Sequence, residues 1–107
     1  MRQKQEFEEC ASRLKSLADP ERLRIVLSLF EGGEKSVSQL ATDLGDEIVK
    51  ISHHLGVLRN AGVVLAKKDG RYVYYQVHPD VIPEGSPQGE IRKIHFGCCS
   101  IDLHNEK

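Results

Sequence analysis

Three cysteines hold the reactive chemistry of this 107-residue chain: Cys10 near one end, and the vicinal pair Cys98-Cys99 near the other, with His95 and His104 close by in sequence. Thiolates and imidazoles ligate soft and borderline metals, and thiolates are also what oxidants and electrophiles attack. Cys98, Cys99 and Cys10 are therefore the candidate ligands for a soft metal or metalloid ion, and equally for a redox or persulfide sensor. Zinc wants four thiolate and imidazole ligands, whereas arsenite or cuprous ion accepts two or three thiolates. Adjacent cysteines in one strand point to opposite faces, so the pair needs a third ligand, from Cys10 or from a partner subunit. Packing is the competing role: Cys10 lies on an apolar stripe, and Cys98-Cys99 in an apolar stretch. No acid/base pair, nucleophile elbow, phosphate loop or His-Glu-x-x-His run is present, so an enzyme is not expected.

A second constellation lies in residues 36–62, SVSQLATDLGDEIVKISHHLGVLRNAG. Ser36 with Gln39 reads as a capping box, and Val37, Leu40, Ala41 and Leu44 recur at helical spacing up to Gly45. A second helix follows, with Ile48, Ile51, Leu55 and Leu58 on one face and Gly62 as its stop. Helix, tight turn, helix is the geometry that lays a second helix into the major groove of DNA. With Ile51 at the centre of the buried stripe, Val49, Lys50, Ser52, His53, Gly56 and Asn60 face outward. Ser52, His53 and Asn60 suit base edges, Lys50 suits phosphate or guanine, and Gly56 permits close backbone approach. A merely solvated face would look similar.

Residues 63–77 tip the balance. Val63 to Val77 alternates like a β-hairpin, with Asp69-Gly70 as the tight turn and Lys67, Lys68 and Arg71 crowding the tip. The fold class expected is mainly α with a β-hairpin wing: a winged helix-turn-helix, α-α-α-α-β-β, with an irregular or strand-like tail. The net charge of −1 hides a sharp partition. Residues 1–47 have seven Lys/Arg against ten Asp/Glu; residues 48–77 have five against one; residues 78–107 have three against five. Positive charge concentrated on the reading helix and wing steers a polyanion to one face.

Four blocks, LADPERLRIVLSL (17–29), SQLATDLG (38–45), ISHHLGVLRNAGVV (51–64) and KDGRYVYYQV (68–77), make the chain resemble the ArsR/SmtB family of winged-helix repressors over residues 10–78. The resemblance implies a homodimeric bacterial repressor that leaves a pseudo-palindromic operator when a metal ion, metalloid or thiol-reactive species binds. It also exposes two departures. The family's thiolate site at the start of the third helix falls here on Ser36, Val37 and Ser38, which offer no soft ligand. The family's long C-terminal helix, with its Asp/His and His/Glu site, is not expected in this tail.

The remaining elements would position these groups. Phe7, Cys10, Ala11, Leu14, Leu17 and Ala18 form one stripe on a helix over 3–18, acidic in its first half and basic in its second. In the resembling family this helix packs at the dimer interface, which makes Phe7, Cys10, Leu14 and Leu17 interface candidates. Asp19-Pro20 opens a second, central helix, with Leu23, Val26, Leu27 and Phe30 on one face, Ile25 and Leu29 widening it, and Arg22 on its polar side. Past Val77 the chain is broken by prolines and glycines, with one helical turn at 79–82. Residues 90–103 alternate like a single strand, Ile94, Phe96 and Cys98 on one side and His95, Gly97 and Cys99 on the other. The division expected is 1–78, the DNA-binding unit with its dimerisation helix, and 79–107, the tail. The chain is long enough for one core, which dimerisation would help stabilise. With no apolar span or leader, a cytoplasmic protein with reduced thiols and no membrane partner is expected. A winged-helix module that binds proteins and has lost DNA is the alternative, favoured by the carboxylates Asp46-Glu47 at the start of the reading helix.

Overall fold

Two helices in this chain start where a side chain supplies the acceptor that the first amides lack. The Asp19 carboxylate accepts hydrogen bonds from the amides of Glu21 (2.9 Å) and Arg22 (3.2 Å), with Pro20 at the first helical position. Ser36 Oγ accepts from the Gln39 amide while Gln39 Oε1 accepts from the Ser36 amide, the reciprocal pair that the sequence predicts. Gly45, at φ +65°, closes the second of these helices in a left-handed turn open to glycine.

The computed structural model describes residues 4–82 and 93–103. In order these form α1 (Lys4–Leu17), α2 (Pro20–Gly32), β1 (Lys35–Ser36), α3 (Val37–Leu44), α4 (Ile48–Asn60), β2 (Val64–Asp69) and β3 (Tyr72–Val77), then a 3-10 turn (Pro79–Val81), β4 (Lys93–His95) and β5 (Ser100–Asp102). This is the winged helix-turn-helix expected, with α3 and α4 as the helix pair and β2-β3 as the wing. Strand β1, too short to leave a periodic signal, adds a third strand in the order β1-β3-β2, all antiparallel.

One core joins these elements: Cys10 and Leu17 of α1, Ile25, Val26 and Leu29 of α2, Leu40 and Ala41 of α3, Ile51, Leu55 and Leu58 of α4, and Val63, Val64 and Val77 around the wing's base. In α2 the buried line is Ile25, Val26 and Leu29, while Leu23, Leu27 and Phe30 are only half-buried, so the expected centre of that face is rotated. Ile48 departs further. It was expected on the buried stripe of α4 and is 53% exposed, because the first turn of α4 projects beyond the edge of the core.

The wing's turn is displaced by one residue from the expected Asp69-Gly70. Asp69 pairs with Tyr72, so the two-residue loop is Gly70-Arg71. Gly70 has φ +64° and, among the described residues, no non-glycine residue has positive φ, which fits a turn with glycine at its first central position. The register sets this choice. It places Val64 opposite Val77, both buried, and a slip of one residue would turn one of these faces outward.

The tail is not the single strand expected. β4 and β5 form a small antiparallel hairpin, Ile94 opposite Ile101, around a turn closed by the Phe96 amide donating to the Cys99 carbonyl (2.8 Å). Gly97, at φ +101°, reverses the chain there. Ile94 and Phe96 are buried in the same core as Val81, so the tail packs back on the helices that precede it.

Candidate nucleic-acid interface and sulfur cluster

Helix α4 buries Ile51, Leu55 and Leu58 and leaves Lys50, Ser52, His53 and Asn60 exposed, as its rotation predicts. A Cβ on Gly56 would meet nothing within 4 Å, so no packing contact of this protomer requires glycine there. At the wing, Lys67, Lys68 and Arg71 are all exposed at the tip. Basic wing and polar helix face are thus presented together by α4, β2 and β3. Sequence reasoning put too little weight on the apolar start of α4: Val49 is 78% exposed beside Ile48. Exposed apolar groups on a reading helix suit the methyl group of thymine. The signal was present in the outward rotation of Val49, but an aliphatic residue was not given a reading role.

A polar contact joins α4 to α2 beside the buried Ile51, Leu55 and Leu58. Arg22 Nη1 donates to His54 Nδ1 (3.2 Å), and His54 Nε2 lies 3.2 Å from a Glu21 carboxylate oxygen. Arg22 Nε also donates to the Ser16 carbonyl. Arg22 therefore ties α1, α2 and α4 together, and its Nη1 lies 3.9 Å from Asp19 Oδ2 as an ion pair. His54 is half-buried, and His53 alone of the two histidines faces outward. At the start of α4 the Asp46 carboxylate accepts from the Glu47 amide (2.8 Å) and lies 3.9 Å from Lys50 Nζ. That amide above all, then a hydrogen bond with the Glu21 side chain, with Lys50 and Arg24 adding smaller contributions, holds Asp46 below the usual carboxylate range.

The cysteines come together. Cys10, fully buried on α1, is joined by a disulfide to Cys98, 88 residues away, with Cα atoms 6.0 Å apart. Three reduced thiols were expected; the structure joins two of them and leaves Cys99 free and exposed. Cys99 Sγ lies 4.0 Å from Cys10 Sγ and 3.9 Å from Cys98 Sγ. The argument that neighbouring cysteines diverge fails because Cys98 and Cys99 occupy the turn between β4 and β5, not a strand. Among the described residues, these three are the one group of His, Cys, Asp and Glu side chains close enough to share an ion. His95 stands outside it, and His104 lies outside the described residues. One turn along α1 from Cys10, Arg13 Nη1 donates to the Phe96 carbonyl (3.2 Å), and its guanidinium lies 3.7 Å from where a Cβ would stand on Gly62, just past the end of α4.

Residues 19–65 match the bacterial regulatory proteins of the arsR family. The chain is 39% identical over 94 residues to the transcriptional regulator NmtR of Mycobacterium tuberculosis, covering 88% of this chain and 78% of that protein. It belongs to the ArsR family. ArsR-family proteins are transcription regulators, not enzymes. The arsenical resistance operon repressor of Escherichia coli K12 is 46% identical over 67 residues, 63% of this chain, and the matched stretch spans only 57% of that repressor's length. A homodimeric winged helix-turn-helix DNA-binding domain from Mycobacterium bovis superimposes with a TM-score of 0.65 at 28% identity, covering 75% of this chain and 76% of that one. The arsR match covers α2 through the start of β2, so it contains the reading helix and none of the three cysteines. No helix among the described residues is long and apolar enough to cross a membrane.

Proposed function

We propose that this ArsR-family chain is a homodimeric repressor. It occupies a pseudo-palindromic operator in the cytoplasm and loses or retunes that grip when a metal ion, metalloid or thiol-reactive species reaches its cysteines. The observation that carries the reading is the open outer face of α4, with Lys50, Ser52, His53, Gly56 and Asn60, beside a wing tipped by Lys67, Lys68 and Arg71. Helix face and wing supply base-edge and phosphate contacts side by side. The repressor role of the Escherichia coli relative and the homodimer of the Mycobacterium bovis domain support the same conclusion. In this reading, residues 1–78 bind DNA and pair the subunits, and residues 79–107 bring the sulfurs of the tail to α1.

The test is binding of the full chain to an inverted repeat with half-sites about one helical turn apart, followed across salt concentration. Lys67→Ala and Arg71→Ala are each expected to weaken binding to every sequence and to lower the salt slope by roughly one unit. His53→Ala and Ser52→Ala are expected to relax preference at particular base pairs, by roughly 1–3 kcal/mol each. The exposed pair Ile48 and Val49 favours the other reading, a protein-binding module without DNA affinity. Affinity for DNA that ignores salt and wing substitution would establish that reading instead.

A further inference from the structure

We propose that His54 is a proton-operated seat for the reading helix: the neutral ring holds Arg22, the protonated ring turns to Glu21, and the exchange loosens the operator grip in mild acid. The operator half of the inference rests on the repressor reading proposed above; the exchange of partners does not.

Donors and acceptors fix the neutral state. The His54 side chain is only 14% exposed, so its nitrogens depend on protein partners. A guanidinium donates and never accepts. Arg22 Nη1, 3.2 Å from His54 Nδ1, therefore makes that nitrogen an acceptor and puts the neutral ring's hydrogen on Nε2. Protonation fills Nδ1 with a hydrogen. The contact with Arg22 then sets donor against donor and cation against cation, and it is lost.

A second partner already stands in place. Glu21 Oε2 lies 3.2 Å from His54 Nε2, yet it is shut off from solvent and accepts no well-formed hydrogen bond among the described residues. A buried carboxylate oxygen left so is unfavourable. An imidazolium turned toward it supplies both the hydrogen and the opposite charge. Arg22, once released, keeps Asp19, whose Oδ2 lies 3.9 Å from Nη1.

The surrounding charges come from each neighbouring element. Asp19, Glu21 and Arg22 face the ring from α2 and its cap. Asp46, in the turn before α4, stands beside Glu21 and is answered by Lys50 and Arg24. From α1 comes the Ser16 carbonyl, held by Arg22 Nε. On α4 itself the His53 ring lies 5.7 Å from that of His54. Ile51, Leu55 and Leu58 keep α4 on the core whichever partner the ring takes, so the exchange re-seats the helix without unfolding it. Ser52 and His53, just before the ring, shift with it. The operator takes the neutral form and protons take the other, so affinity falls as pH falls.

The test follows the free full chain, with nitrogen-labelled histidines, by NMR from neutral to mildly acidic pH. His54 is expected to carry its neutral hydrogen on Nε2, and the amides of Glu21, Arg22, Ser52 and His53 to shift in step with its titration. His54→Asn puts a non-titrating acceptor where Nδ1 was, and those shifts should vanish. Glu21→Gln removes the acid partner and leaves the ring, so His54 should take up its proton at lower pH; this variant decides the matter if the asparagine chain does not fold. On an inverted repeat, the wild-type chain is expected to lose roughly tenfold in affinity between about pH 7.5 and 5.5, beyond whatever the His54→Asn chain loses. His53 is present in both chains, so the difference between them belongs to His54. A neutral hydrogen on Nδ1, a His54 titration that leaves the α2 and α4 amides still, an unchanged midpoint in Glu21→Gln, or equal pH dependence in the two chains would overturn the switch. A chain that binds no repeat at any pH would instead overturn the repressor reading, while the NMR shifts still decide the exchange of partners.

Discussion

Val49 stands at the first turn of the reading helix with almost its whole side chain in solvent, a costly place for an aliphatic group unless something covers it. If thymine is what covers it, one methyl group is the contact. Replacing each operator thymine in turn by deoxyuridine is expected to weaken binding at one position per half-site, and Val49→Ala should erase that difference while leaving thermal stability unchanged. Asp19 makes a prediction of a different kind. The Arg22 amide, with the Arg22 charge and the Glu21 amide adding to it, holds its carboxyl below the usual range. A carboxylate whose pKa is lower folded than unfolded stabilises the fold above its unfolded value, and that contribution disappears as pH falls through the folded one. Asp19→Asn, which keeps the capping oxygen without the charge, should therefore lower the neutral plateau of the stability profile and shallow its acid limb, with little change at the acid end, as followed by denaturant unfolding across pH. Both Asp19 and Ser36 were legible in sequence because a cap is local, requiring only the next three residues. Arg22 was not, since its partners Ser16 and His54 are fixed by how α1 and α4 pack on α2.

Helix α1 divides its apolar stripe between two tasks. Cys10 and Leu17, both read as interface candidates, are buried within their own protomer, whereas Phe7 and Leu14 remain 52% and 38% exposed on it. That leaves Phe7 and Leu14 as the part of the stripe free to meet a second subunit. Phe7→Glu combined with Leu14→Glu is expected to shift sedimentation at micromolar concentration from a dimer to a single 12.0 kDa chain with the helical signal retained. A 12.0 kDa species from the unsubstituted chain would remove α1 from any dimer contact. A periodic stripe reveals that a face is apolar and not what covers it, so sequence could not make this division. The hairpins show the same limit. Asp69-Gly70 and Gly70-Arg71 both offer acceptable turn chemistry, and only the burial of Val64 against Val77 decides between them. In the tail, alternation was read correctly at Ile94 and Phe96, but Gly97 bends the chain before the pattern can continue.

At the scale of the molecule, Lys67, Lys68 and Arg71 stand exposed at the wing, outside the core that joins the four helices. The fold class was legible because four ordered blocks fix it. The meeting of Cys10 with Cys98 and Cys99 was one of two alternatives, a ligand from a partner subunit being the other, and no local pattern relating residues that far apart could choose between them. Their bond has a topological consequence. Residues 10 to 98 become a closed ring, and α2, α3, α4 and the whole wing lie on its circumference. Closing so long a loop restricts the unfolded chain and is expected to contribute on the order of 2–4 kcal/mol, read as the difference between denaturant unfolding with and without reductant. A peptide bond cut anywhere inside that circumference would open the ring without releasing a fragment. A nicked chain should therefore migrate as one species in detergent until a reducing agent separates it into two.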